Sequence, residues 1–225
     1  MHTSAFAVWL DTFFAGFDRA ILEFFHLLAE KMGFILTPIS YALDFMGDDA
    51  IFFFAMAFVL LLFKKTRAAG ICVVLAIACG AVVTNLSLKE LVARQRPFTS
   101  DVFRPFWEFV GAPKQSEFSF PSGHTTSAMA AMLALCLVMK KKWLVAPSMI
   151  FVVIMGASRN YLMVHYPTDI IAGVLAGTVG AVAAYFLTKL LWGFVERHRD
   201  TRVCGALADF DIVQSFRKKT TDEES

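Results

Sequence analysis

Between Ala69 and Leu88 the chain runs for twenty residues without a charged side chain, the length an α-helix needs to cross the hydrocarbon of a bilayer. It is one of several such runs. Ala50 to Phe63 is wholly apolar, recruits part of Tyr41 to Gly47 to reach spanning length, and ends at Lys64-Lys65-Thr66-Arg67. Gly123 to Met139 and Trp143 to Ala157 are shorter spans on either side of Lys140-Lys141-Lys142, and Tyr166 to Phe194 is the last, with Gly173, Gly177 and Gly180 spaced for close helix packing. With 57% hydrophobic and 18% charged residues and a mean hydropathy of +0.61, this is the composition of an integral membrane protein. The expected architecture is an all-α polytopic membrane helix bundle with five or six transmembrane helices plus an N-terminal amphipathic helix.

That amphipathic helix is read from residues 5 to 31, where Phe6, Trp9, Leu10, Phe13, Phe14, Phe17, Ile21, Phe24, Phe25 and Leu28 recur at helical spacing while Asp11, Asp18, Arg19, Glu23 and Glu30 lie off the stripe. The pattern suits a helix lying in the membrane interface. It lacks the basic start and uncharged core of a cleavable signal peptide and is expected to be retained. Met32 to Gly47, interrupted by Thr37-Pro38 and Asp44, either crosses or dips. The chain divides into an interfacial segment (1–47), a membrane domain (48–194) and a charged tail (195–225) expected in the cytoplasm.

Charge placement says more than the net charge of +2, which is too small to argue for a nucleic-acid partner. Basic clusters at 64–67, 140–142 and 197–202 fall on one side if the spans alternate, and the positive-inside rule makes that side cytoplasmic. The opposite side then carries the Asp48-Asp49 turn, the loop 89–120 and the stretch from Ser158 to Asp169. These last two hold Lys89, Arg94, Arg96, Arg104, Lys114 and Arg159. Cations there suit an anionic ligand, although lipid headgroups at the interface would also attract them. Cys72, Cys79, Cys136 and Cys204 show no paired spacing and read as small packing residues.

Three stretches of this outward face carry chemistry. In Ser158 to Asp169, four positions separate His165 from Asp169, and Pro167 suits the first turn of a helix, so a carboxylate would stand close below an imidazole. Such a pairing fixes the tautomer and leaves the other ring nitrogen free to attack or abstract a proton. Arg159 could bind an anion at the same mouth. Asp169 also fits a plain helix-start acid and Arg159 an interfacial side chain. In Lys89 to Pro97, Lys89 and Arg96 lie two helical turns apart on one face and can grip separate oxygens of one phosphate. In Pro121-Ser122-Gly123-His124, Ser122 is a natural helix cap, Gly123 lets an anion approach the backbone, and His124 sits one turn in as a proton donor.

Taken together, Lys-x6-Arg-Pro (Lys89 to Pro97), Pro-Ser-Gly-His (Pro121 to His124) and Ser-Arg-x5-His-x3-Asp (Ser158 to Asp169) resemble the three signature motifs of the type 2 phosphatidic acid phosphatase superfamily, which is related to the vanadium haloperoxidases. Every signature position is filled in order, over roughly Ala50 to Leu190. The resemblance implies that His165 is a nucleophile forming a phosphohistidine, that Asp169 orients it, and that His124 protonates the leaving oxygen. Lys89, Arg96 and Arg159, with Ser122 and the Gly123 amide, would hold the phosphoryl oxygens, with no metal and no cofactor. It further implies a phosphorylated lipid substrate, of the undecaprenyl pyrophosphate, phosphatidylglycerophosphate or phosphatidic acid class, met among membrane lipids at the extracytoplasmic face of the plasma membrane. A lipid phosphotransferase using the same site and a non-enzymatic lipid-phosphate binder fit the same residues. The absence of any soluble domain disfavours a haloperoxidase.

Overall fold

The computed structural model describes residues 3–212, and every regular element among them is helical. In chain order these are α1 (Ala5–Phe13), α2 (Ala15–Gly47), α3 (Ile51–Leu62), α4 (Arg67–Val83), α5 (Lys89–Val92), α6 (Arg104–Phe109), α7 (Gly123–Met139), α8 (Lys142–Tyr161), α9 (Pro167–Arg197) and α10 (Arg202–Asp209). A π-helical turn, Thr84–Leu88, joins α4 to α5 without a break in direction. Of the charged tail expected over 195–225, the part after residue 212 lies outside the described residues.

Ala15–Leu62, Arg67–Thr99, Lys142–Tyr161 and Pro167–Arg197 are long and apolar enough to span a bilayer, and Gly123–Met139 is a shorter apolar helix. α3, α4, α7, α8 and α9 form the body of the bundle, and α2 packs on α8 and α3. Asp18 near its start bonds Arg94 and Thr168, and Asp44 near its end bonds His124 and Arg159, so both ends of α2 touch the same end of the bundle. Non-helical torsions at Met32 (φ −129°, ψ 15°) bend α2 midway. A three-residue 3₁₀ turn, Asp48–Ala50, with positive φ at Asp49 and Ala50, then redirects the chain into α3.

The amphipathic pattern of α1 and α2 sits differently from the expected single stripe. Phe6, Trp9, Phe13, Phe17 and Phe24 are exposed, whereas Leu10, Leu22 and Ala29 pack on the protein. Asp18, which the stripe assigns to the solvated face, is buried at 3% exposure. Asp18 faces the bundle because the buried Arg94 bonds it there, while Arg19 and Glu30 stay exposed and Glu23 partly so. The aromatic edge of the helix is left outward, where a membrane interface would receive it.

The centre of the bundle is the packing of α4, α7 and α9 on one another, over a core that includes Phe53, Val73, Ala76, Ala130, Met155 and Ala181. Glycines on α9 allow this close approach. A Cβ on Gly177 would fall 2.5 Å from the carbonyl oxygen of Thr126, and one on Gly180 would fall 2.8 Å from the Gly80 nitrogen and 3.0 Å from the Ala76 oxygen. Those neighbours are helix backbone and do not step aside, so the residues that open α7 are locked against α9. Gly180→Ala is expected to destabilise the bundle by about 1–3 kcal/mol through overpacking, read as a lowered unfolding midpoint in detergent. Gly193→Ala, where an added methyl meets nothing within 4 Å inside α9, should not lower the midpoint and, through the better helix propensity of alanine, should raise it slightly.

Candidate active site

At the end of the bundle that α2 covers, a cavity of about 490 Å³ is lined by Lys89, Arg96, Gly123, His124 and His165, so residues from all three sequence stretches reach one space. The fold explains the convergence. α5 delivers Lys89 at the end of an upward helix, α7 and α9 start there, and α8 ends there with Arg159 still in helical conformation. Helix α8 is longer than the expected Trp143 to Ala157, because Ser158, Asn160 and Tyr161 find buried partners: the Met155 and His165 carbonyls and the Thr37 hydroxyl.

His165 lies in the short connection between α8 and α9 and is 2% exposed. Its Nε2 is 3.4 Å from Arg96 Nη1. A guanidinium has only protons to offer, so Nε2 presents a lone pair and the neutral ring carries its proton on Nδ1. Burial first, and then the charges of Arg96, Arg159, His124 and Lys89, hold the His165 imidazole well below its ordinary pKa. An imidazole so placed favours its uncharged form.

Asp169 stands under this ring, but its nearer oxygen is 3.7 Å from Nδ1, an ion-pair separation rather than a hydrogen bond. The carboxylate is occupied elsewhere. Oδ2 accepts from Ser119 Oγ at 2.6 Å and from the Tyr166 amide at 2.9 Å, and Oδ1 accepts from Arg94 Nη1 at 2.6 Å. Ser119 Oγ is in turn 3.5 Å from His165 Nδ1. The serine hydroxyl lies between the two partners that the four-residue spacing would join directly, and the Asp169 side chain also serves as the expected helix-start acid.

Arg94 is the anchor of this region. Its Nε meets Asp11 at 2.7 Å, its Nη2 meets Asp18 at 2.8 Å, and its Nη1 meets Asp169 and the Thr168 hydroxyl, while its guanidinium lies 4.0 Å over the Tyr166 ring. One side chain thus ties α1, α2 and the start of α9 together.

The remaining cations are satisfied unequally. Lys89 pairs with the Glu117 carboxylate. Arg96 donates to the Glu117 and Val164 carbonyls at 2.7 and 2.9 Å and has no carboxylate partner among the described residues. Arg159, fully buried, pairs with Asp44 through Nη1, whereas its Nε and Nη2 have no partner among the described residues. Arg159 does not line the cavity; Asp44 does. Ser122, also buried, uses its hydroxyl to cap α7, accepting from the Thr125 amide and hydroxyl. Gly123 opens that helix with Lys89 Nζ 3.9 Å from where its Cβ would stand, so the ammonium and the unbonded first-turn amides face the same space. Among the described residues no group of three or more His, Cys, Asp or Glu side chains is placed to hold a metal ion.

Sequence reasoning overlooks four contributors. Arg94 is counted among the outward cations but given no task, Ser119 resembles any loop serine, Asp18 reads as one of the polar residues off the apolar stripe, and Asp44 reads as an interruption of apolar sequence. A charged residue inside an apolar run that has no solvent to face is the signal that marks both aspartates.

The PAP2 superfamily model matches residues 67–192. An undecaprenyl-diphosphatase of Sulfolobus acidocaldarius is 35% identical over 119 residues, 53% of this chain and 55% of that protein. A lipid A 4′-phosphatase of Bacteroides thetaiotaomicron is 29% identical over 143 residues, 60% of this chain and 62% of that protein. The chain thus spans a little over half the length of these relatives. The crystal structure of a PAP2-type phosphatidylglycerolphosphate phosphatase from Bacillus subtilis superposes with a TM-score of 0.58 at 23% identity, over 85% of this chain and 90% of that one, and shares the fold.

Because Asp18 and Asp169 are both buried on Arg94, Arg94→Met is expected to destabilise the protein by about 3–5 kcal/mol by leaving uncompensated acids. Adding Asp18→Asn should recover part of the loss in the same unfolding measurement.

Proposed function

The chain belongs to the PAP2 superfamily, and from that membership and its two cavity-lining histidines we propose that it is a membrane phosphatase that hydrolyses a lipid phosphate through a phosphohistidine. The observation that carries this reading is the meeting of a neutral, buried His165 with Arg96, Lys89 and His124 at one cavity. In the proposed cycle His165 Nε2 attacks phosphorus, the bond to the lipid oxygen breaks, and His124 gives that oxygen a proton. Water then attacks the phosphohistidine, His124 takes the water's proton, and the P–N bond breaks to release phosphate. Arg96, Lys89 and the first amides of α7 neutralise the phosphoryl oxygens as charge gathers on them, and Arg159 adds its charge from behind the cavity wall.

A lipid, rather than a soluble ester, is supported by the shape of the cavity. Its wall continues onto Phe54 of α3 and Ile77, Ala78 and Ala81 of α4, apolar positions on two membrane helices. A tail can lie along that side while the phosphate reaches the polar end. An undecaprenyl pyrophosphate is our preferred substrate within this class, and the extracytoplasmic face of the plasma membrane our preferred side, since the clusters Lys64–Arg67, Lys140–Lys142 and Arg197–Arg202 lie at the opposite end of the bundle.

Purified protein in mixed micelles with EDTA should release phosphate from a panel of lipid mono- and pyrophosphates, and His165→Ala should reduce turnover by at least about 10³-fold; undiminished release by the variant would overturn the reading. The pH profile provides a separate check. Protonation of His165 removes the nucleophile, and because burial and the surrounding cations depress its pKa, the acid limb of kcat/KM assigned to this group should lie below pH 6.5.

A further inference from the structure

Asp44 lies outside every signature stretch and outside the matched residues 67–192, yet it touches the site more closely than several of their members. Its Oδ1 is 3.2 Å from His124 Nε2, its backbone oxygen is 3.0 Å from the same nitrogen, and the carboxylate also takes Arg159 Nη1. Three residues on, Gly47 lies so close to the imidazole that a Cβ there would fall 2.3 Å from His124 Cδ2. The last turn of α2 is therefore a bed for one face and one edge of this ring. With Nε2 committed as a donor to two oxygens of Asp44, Nδ1 is the ring nitrogen without a protein partner among the described residues, and His124 lines the cavity.

We propose that Asp44 is a positioning residue for leaving-group protonation: it holds His124 with Nε2–H on its carboxylate and Nδ1 turned to the departing lipid oxygen. The inference rests on the phosphatase reading given above. Asp44 would serve His124 as a carboxylate serves any catalytic histidine, fixing the ring and supporting its charged form before the proton leaves. The other charged groups around the cavity, Asp48, Asp49, Lys89, Arg96, Lys114 and Glu117, are not bonded to His124, so no neighbour duplicates the contact.

The test exploits the chemistry of the leaving group. An alkoxide needs a proton to depart, whereas a nitrophenolate does not, so a defect in protonation shows on the first and vanishes on the second. Wild type, Asp44→Asn, Asp44→Glu and His165→Ala are assayed on a long-chain alkyl phosphate and on a nitrophenyl phosphate bearing the same chain. Asp44→Asn should lose about 10- to 100-fold in kcat on the alkyl substrate, within the range general-acid catalysis supplies, and less than about 3-fold on the nitrophenyl substrate. Asp44→Glu should restore part of the alkyl activity. An equal loss on both substrates, or no loss on either, overturns the proposal. Failure of the phosphatase reading has a different signature: wild type inactive on both substrates, or His165→Ala as active as wild type. Unfolding midpoints of the variants in detergent identify any loss that comes from misfolding, and Asp44→Glu, which keeps the charge, remains informative if Asp44→Asn does not fold.

Discussion

Everything at the working end of this bundle answers to one constraint: cations set among apolar helices have to be neutralised by the protein or left for a ligand. Arg94 is neutralised completely, by Asp11, Asp18 and Asp169. Lys89 has Glu117 and Arg159 has Asp44, each through a single nitrogen. Arg96 has only backbone carbonyls and the lone pair of His165. The gradient from the saturated Arg94 to the unsaturated Arg96 runs from scaffold to site. The charge that remains uncompensated is concentrated beside the His165 ring, where the proposed phosphoryl group would complete it.

The same constraint explains the place of α1 and α2. Taken alone, these helices are aromatic surfaces suited to an interface. They are fastened to the bundle by polar contacts at the two ends of α2, Asp18 on Arg94 and Asp44 on Arg159 and His124, with Thr37 on Tyr161 between them at 2.7 Å. Ion pairs of this kind owe little to hydrophobic driving force, which is weak between surfaces that both face lipid. Buried acids, not the aromatic stripe, set how the segment sits.

That division of labour decides what the sequence could disclose. The through-running helices were readable because a bilayer demands twenty-odd apolar residues per crossing, and the ends of α7 and α9 were marked by Ser122 and Pro167. The resemblance gathered His124, His165, Lys89, Arg96 and Gly123, and they line one cavity. Asp169, Arg159 and Ser122 proved to stand behind that wall, because a motif records spacing and not which atoms remain free once neighbours have bonded them. The position of α2 was ambiguous for a related reason. Its apolar content permits a crossing, and only partners distant in sequence, Arg94 for Asp18 and Arg159 for Asp44, fold it across the end of the bundle. Ser119 left no mark in sequence at all, since its task exists only when Asp169 and His165 are already in place.

The arrangement of charge around the cavity gives the proposed reaction a direction. Asp44, Asp48 and Asp49 occupy the last turn of α2 and the α2–α3 turn, whereas Lys89, Arg96 and Lys114 come from α5, the loop that follows it and the loop after α6. If, as proposed, the lipid tail lies along Phe54 and Ile77, the cationic wall with Arg96 and His165 attracts the phosphoryl oxygens and the acidic wall does not. In the proposed cycle His124, bonded to Asp44 and lining the same cavity, is the proton carrier. Acids beside a phosphate site would ordinarily weaken it, but in that cycle they disfavour phosphoryl oxygens on the His124 side and so favour phosphorus on His165 with the leaving oxygen toward His124.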